Sequence, residues 1–301
     1  MKNPILRSLC WPDVRGTFPK LIALSLAFGL ASVASGLATG LTAQEDTEAV
    51  YRTPAPELAA LVDAPATPGV SLSPDESMLL LMTRPGAPSI AEVSAPEVRL
   101  AGLRIDPRNN GPSRARTFID LAFRDMDGEQ TPVSGLPADP RIGSIQWSPD
   151  GAHISFTHTL IDRIELWVAS VETGVARRVL DRPINAAFRG APYTWSPDSE
   201  SLIARTVPAN RGTAPAEPTV PSGPVIQETT GEAAPARTYQ DLLQNPYDEA
   251  LFEYYTTGQV VRVALDGATT EIGAPGMIES MNPSPDGQHV LVQELHHPFS
   301  Y

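Results

Sequence analysis

One short turn recurs along this chain, each time between two apolar runs, and it constrains the fold more than any other feature. Ser-Pro-Asp begins at residues 73, 148, 196 and 284. Proline presets φ at the second position of a type I turn, and aspartate suits the third. A following glycine, present as Gly151 and Gly287, tolerates the exit. The clearest copy lies in residues 142–181. Ile145 and Trp147 alternate with Ser144 and Gln146 before the turn, and Ile154 and Phe156 alternate with His153, Ser155 and Thr157 after it. A period of two argues strand rather than helix. A second hairpin follows, from Ile164 to Val171, turning at Glu172-Thr173-Gly174 into Val175–Leu180. Four short strands in about forty residues make one blade of a β-propeller.

The other copies extend this pattern. The turns start 75, 48 and 88 residues apart, and the glycines of the second hairpins, Gly128 and Gly174, are 46 apart. Blades repeat every ~40–50 residues, so the longer steps carry inserts. The expected fold is all-β, a partial β-propeller of four-stranded antiparallel blades at about 69–136, 142–181 and 191–273, with a fourth beginning at 277–301. Residues 44–68 read as a linker or short helix. Residues 208–236, rich in Pro, Ala, Thr and Gly, read as an extended surface loop. Asn245-Pro246 places a capping residue before a helix start, whereas Leu251-Phe-Glu-Tyr-Tyr fits strand or helix. Trp147 and Trp195, just before two turns, are expected to fill the wedge between twisted sheets.

Composition sets the class. The chain has 301 residues, of which 42% are hydrophobic, enough for a substantial core. Its 31 prolines oppose a mainly helical protein, and a formal net charge of -13 opposes nucleic-acid binding. Lys2, Arg7, Arg15 and Lys20 precede an apolar run from Leu21, with small residues up to Ala43. Residues 1–43 therefore read as a signal peptide, and the rival reading is an uncleaved anchor. Its removal would take four positive charges and Asp13, leaving a net charge of -16. Cys10, the sole cysteine, falls in this segment, so neither disulfide nor thiolate chemistry is expected in the exported part. The expected location is periplasmic or extracellular, in a bacterium.

No catalytic, cofactor-binding or metal-binding set emerges. His153 and His158 are five apart and face opposite sides of a regular strand; His289 follows a turn, and His296 and His297 are adjacent near a terminus. Asp248-Glu249 is the one tempting carboxylate pair, and it sits where acids favour a helix N-terminus. Arg104, Arg114 and Arg116 could recognise an acidic side chain, because guanidinium pairs bidentately with carboxylate.

Leu100-Ala-Gly-Leu-Arg-Ile-Asp-Pro, Pro224-Val-Ile-Gln-Glu, Ala236-Arg-Thr-Tyr-Gln-Asp-Leu-Leu, Asn245-Pro-Tyr-Asp-Glu, Phe252-Glu-Tyr-Tyr-Thr-Thr and Pro298-Phe-Ser-Tyr carry a resemblance. Over most of residues 69–301 the chain resembles the N-terminal part of serine peptidases of the prolyl oligopeptidase family, in the glutamyl endopeptidase branch. That resemblance implies a propeller that restricts peptide access to a C-terminal α/β-hydrolase domain. The chain departs from the family in having no Gly-x-Ser-x-Gly elbow, so no catalytic serine, aspartate or histidine transfers to it. The implied role is the non-catalytic portion of an exported peptidase, with peptide and the absent hydrolase domain as partners. An unclosed ring leaves one blade face uncovered, so continuation of the chain beyond Tyr301 is expected, and the isolated piece is expected to associate or be partly molten. The alternative is a periplasmic propeller scaffold that binds envelope proteins, as in the Tol-Pal system.

Overall fold

The computed structural model describes residues 54–62, 64, 66–220, 223, 231 and 240–299. The expected signal peptide, and residues 224–239 of the family-like stretch apart from Gly231, lie outside the described residues. After a short helix α1 (Pro56–Val62), strands β1 (Gly69–Leu72) and β2 (Met78–Thr83) form the first hairpin. An insert follows, with helix α2 (Ile90–Val93) and strands β3 (Val98–Leu100), β4 (Leu103–Asp106) and β5 (Gly111–Pro112). Strands β6 (Asp120–Asp125) and β7 (Gln130–Pro132) then return to the first sheet, whose order is β1-β2-β6-β7. The second sheet comprises β8 (Ile142–Trp147), β9 (His153–Thr159), β10 (Ile164–Ser170) and β11 (Ala176–Arg178), paired in sequence order. The third begins with β12 (Tyr193–Trp195) and β13 (Ser201–Thr206). Helix α3 (Pro246–Thr256) intervenes before β14 (Thr257–Ala264), β15 (Thr269–Pro283) and β16 (Val290–Leu295). The fold is mostly β, and its strand ladders are antiparallel.

Alternation along the strands stacks the sheets face to face. On β10, Ile164, Leu166 and Val168 join Tyr193, Trp195, Leu202, Ala204, Val261 and Val263 in one core between the second and third sheets. Ala169 of β10, with Ile154 and Phe156 of β9, points the other way and packs on Leu80, Leu121 and Phe123 of the first sheet. The second sheet is thus buried on both faces, and each large side chain there contributes roughly 1.5–3 kcal/mol. Trp147 packs on Phe123 at 6.0 Å between ring centroids, and its indole N–H donates to Ser71 Oγ at 3.1 Å. Trp195 is buried between the second and third sheets.

The Ser-Pro-Asp turns at Ser73, Ser148 and Ser284 share one construction, whereas the Ser196 hydroxyl has no partner among the described residues. Ser148 Oγ donates to Asp150 Oδ1 at 2.5 Å, and the His153 amide donates to Ser148 Oγ at 2.9 Å. The Ser73 turn repeats both bonds, at 2.6 Å to Asp75 and 3.0 Å from the Met78 amide. The hydroxyls of Ser73 and Ser77 hold the Asp75 carboxyl down at about 2. The fourth position is left-handed in all four turns, with φ of 60° at Glu76, 73° at Gly151, 61° at Ser199 and 67° at Gly287. A side chain in that region costs about 1–2 kcal/mol, part of which glycine returns as unfolded-state entropy. Glu76→Gly should therefore raise stability by about 0.5 kcal/mol and Gly151→Ala lower it by about 1 kcal/mol. Urea unfolding midpoints of the two variants check the opposite signs.

Two features go beyond the sequence expectation. The insert forms its own three-stranded sheet, β3-β4-β5. The hairpin expected from residue 277 follows the third unit without a break in the strand: β15 runs from Thr269 to Pro283, pairing with β14 up to Met277 and with β16 from Met277 on. The entry into this sheet runs through α3. Asn245 accepts from the Asp248 amide, Pro246 starts the helix, and Leu251, Phe252, Tyr255 and Thr256 form its buried face. That settles the ambiguous segment as helix, and it delivers Thr257 and Gly258 straight into β14. These two extra residues pair with Met277 and Gly276, while residues 273–275 bulge out. Gln259 Nε2 donates to the Val260, Ile272 and Gly273 carbonyls at this irregularity.

Candidate functional site

A cavity of about 410 Å3 opens where the insert sheet, the second sheet and residues 186–190 meet. The insert is held close by two features. Asn109 Nδ2 donates to the Leu160 carbonyl at 3.1 Å, and its Oδ1 accepts from the Gly111 amide at 3.0 Å. The insert approaches closely here: a Cβ at Gly111 would lie 2.3 Å from Ile164 Cδ1, so a larger residue would have to displace the end of that side chain. Residues 186–190 are anchored by buried Asn185, whose Nδ2 donates to the Tyr255 and Thr257 carbonyls at 3.0 and 2.8 Å. Asn110 Nδ2 donates to the same Tyr255 carbonyl at 3.0 Å, so insert, loop and helix converge on one acceptor.

The β8 wall is irregular. Pairing with β9 shifts register between Gly143 and Gln146, and Ser144 there has φ of 46°. Tyr193 holds this bulge by donating its hydroxyl to the Ser144 carbonyl, and Gln146 Nε2 donates to the Tyr193 carbonyl at 3.0 Å. Bulges and strained residues of this kind re-aim a strand beside a site.

The cavity lining carries Arg104, Arg116 and Arg189 and no aspartate or glutamate, above apolar Leu103, Ile164 and Phe188. Arg104 lies 3.7 Å from both Glu97 and Asp241. Arg189 donates to the Gly102 carbonyl at 2.9 Å. Arg116 has no ion pair or hydrogen bond among the described residues. Of the three arginines singled out in the sequence, Arg104 and Arg116 therefore share a cavity. Arg114 turns to Glu97, which it approaches to 3.8 Å. Glu97 accepts from the Ser113 hydroxyl and from Arg99 at 2.8 Å, and these contacts keep its carboxyl below the usual range despite burial. Arg189 was not legible as a member of the set, because it reaches the cavity from a distant loop.

The remaining candidates separate. His158 Nδ1 lies 3.5 Å from Glu165 Oε2, and Glu165 also accepts from Trp167, Arg163 and Arg178. Burial works against that charge, but the Trp167 indole and the other donors keep its carboxyl lowered. His153 stacks toward Trp195, His289 is exposed just after a turn, His296 lies near Glu294 and His297 near Glu253. No group of three metal-ligating side chains occurs among the described residues. Asp248 accepts from the Gln244 amide at 2.8 Å in the first turn of α3, and neighbouring Glu249 lies in the same turn. The pair is part of the helix start.

No family model matches the chain. Over 283 residues it is 37% identical to the protein named "Probable glutamyl endopeptidase, chloroplastic" of Arabidopsis thaliana, covering 88% of this chain and 29% of that one. A prolyl endopeptidase structure aligns with a TM-score of 0.38 and 14% identity, over 76% of this chain and 26% of that one. TolB from Acinetobacter baumannii aligns with a TM-score of 0.31 and 13% identity, over 77% and 47%. The chain thus spans under a third of the length of the curated relative it matches.

Proposed function

We propose, for a chain that is a relative of the glutamyl endopeptidases, a non-catalytic role as a propeller portion that admits and positions peptides for a hydrolase domain outside this chain. The observation that carries this reading is the 37% identity to the Arabidopsis relative over 283 residues. Two supports accompany it. The antiparallel sheets are built from strands paired in chain order and stacked face to face, as propeller blades are. The sequence holds no nucleophile elbow. Export through residues 1–43 belongs to the same proposal, as does a periplasmic or extracellular location.

The purified chain tests it directly. Blocked peptides incubated with it should be bound and recovered intact, with binding measured by fluorescence anisotropy and integrity by mass spectrometry. Turnover by the chain itself would contradict the proposal. Failure to bind any peptide, together with tight binding to an envelope protein, would instead select the scaffold reading.

A further inference from the structure

We propose that the outer face of the first sheet pairs with the same face of a second copy of this chain, across a two-fold axis that runs along one row of apolar side chains.

Alternation decides which side chains stand on this face. Ser71 of β1 turns to the second sheet, where its Oγ accepts from the Trp147 indole, so Val70 and Leu72 point away from it. Leu80 of β2 and Leu121 and Phe123 of β6 also pack toward the second sheet. Their neighbours Leu79, Leu81, Ala122 and Arg124 therefore stand on the outer side. The registers align these residues in rows. Val70 opposes Leu81, Leu81 opposes Ala122, and Ala122 opposes Pro132, so one apolar row crosses all four strands. Leu72 and Leu79 widen it on one side. Val70 is 58% exposed and Leu72 45%. The second sheet is buried on both faces, and the third packs on the second with one face and on Ile278 and Met281 with the other. The first sheet has no such cover on its outer side among the described residues. A contiguous apolar surface of this kind marks an interface.

Charge selects the occupant. Asp120 and Arg124 lie on β6, on this same face, one on each side of the apolar row. They are ~13 Å apart along the strand, too far to pair with each other. Neither has an ion pair among the described residues. A two-fold axis along the row lays each strand antiparallel on its counterpart. It sets Leu81 against Leu81, and Asp120 of each copy against Arg124 of the other. A two-fold axis along the strands would instead set Arg124 against Leu79 and Asp120 against Thr83, leaving both charges unpaired. The face is thus complementary to itself in one orientation, and aligned sheets pack within about 30° of it. The two central strands have six residues each. Four strands about 4.8 Å apart then cover a face on the order of 20 Å by 20 Å. That corresponds to roughly 1,000 Å2 of buried surface in total, at the small end of specific interfaces, so the dimer should form at micromolar concentrations.

Sedimentation equilibrium of the full chain, from about 1 to about 100 μM, reads the association. Wild type should pass from monomer to dimer within that range. Asp120→Arg and Arg124→Asp each replace both ion pairs with like-charge contacts and should weaken the dimer about tenfold. The combined variant Asp120→Arg/Arg124→Asp should restore it. Damage to the fold of the monomer would not be repaired in this way, because the two side chains do not meet within one chain. Val70→Glu, at an exposed position, should remove the dimer while leaving the urea midpoint of the dilute monomer unchanged. A monomer throughout, whether because α1 folds onto the face or because the face takes a sheet from outside this chain, overturns the proposal. So does a dimer that the single charge variants leave intact, or one that the combined variant fails to restore.

Discussion

Replacing Arg205 with alanine should cost about 3–5 kcal/mol, the largest single loss expected in this fold. Arg205 lies on β13 with 1% of its surface exposed. Its Nε donates to the Asn185 carbonyl at 2.9 Å, and its Nη1 donates to the Ile278 and Glu279 carbonyls at 2.5 and 3.0 Å. The guanidinium also sits 5.4 Å from the centre of the Phe188 ring. Ile278 and Glu279 lie at the register shift between β15 and β16, where the ladder leaves carbonyls without strand partners. Truncation would take the donor from two buried carbonyls, Asn185 and Ile278, and open a void. Burial pulls the Arg205 pKa down to about 10, so the group remains charged at neutral pH. Removing the charge therefore relieves a desolvation cost, and that relief limits the net loss. Arg205→Met keeps most of the volume and should cost about 2–3 kcal/mol. Urea midpoints at unchanged slope give both values. A neutral Arg205→Met would mean that packing, rather than carbonyl pairing, is what this side chain contributes.

Asn185 carries the second large effect, and in one variant its size depends on pH. The side chain is fully buried, donates to two carbonyls and accepts from the Ala187 amide at 3.1 Å. Asn185→Ala should cost about 2–4 kcal/mol by taking this partner from the Thr257 carbonyl and the Ala187 amide, while the Tyr255 carbonyl keeps Asn110. Asn185→Asp should be worse at pH 7, because it sets a carboxylate oxygen against the Tyr255 and Thr257 carbonyls. That repulsion and the burial would raise the aspartate's folded pKa above its unfolded value. A raised acid pKa makes the destabilisation full above the folded pKa, and it fades as pH falls through that value and then the unfolded one. The stability gap between Asn185→Asp and wild type should therefore narrow on acidification, whereas the Asn185→Ala gap stays level. Chemical denaturation of all three proteins at pH 7 and pH 5 reads this difference. Parallel losses at both pH values would show that the side chain does not donate as described.

How far the sequence revealed this architecture follows from the range of each interaction. The Ser-Pro-Asp turns were legible because their bonds close within five residues, as from the His153 amide to Ser148 Oγ. The start of α3 was legible for the same reason, through Asn245 and Pro246. Its middle was ambiguous, because Phe252 and Tyr255 are committed to helix by packing on Leu100, Leu103 and Ile105 of the distant insert. The insert sheet escaped notice since its strands have only three, four and two residues, too few to establish a period. The continuation of β15 past residue 273 depends on Thr257 and Gly258 arriving from α3, and on Arg205 reaching the carbonyls beyond. Neither is a local signal. Half of the cavity was within reach: Arg104 and Arg116 stood out together, but Arg189 and the strained Ser144 are brought beside them only by the stacking of the second sheet on its neighbours.

The role we propose for this chain is to govern which substrates reach a catalytic domain. A chimera tests it most directly, with residues 54–299 replacing the matched segment of the Arabidopsis relative. Cleavage of a peptide and of a folded protein containing the same sequence is measured for the chimera and for a version with that segment deleted. The chimera should cleave the peptide and spare the folded protein, and the deletion should lose that discrimination. Equal discrimination by the two proteins would contradict the account.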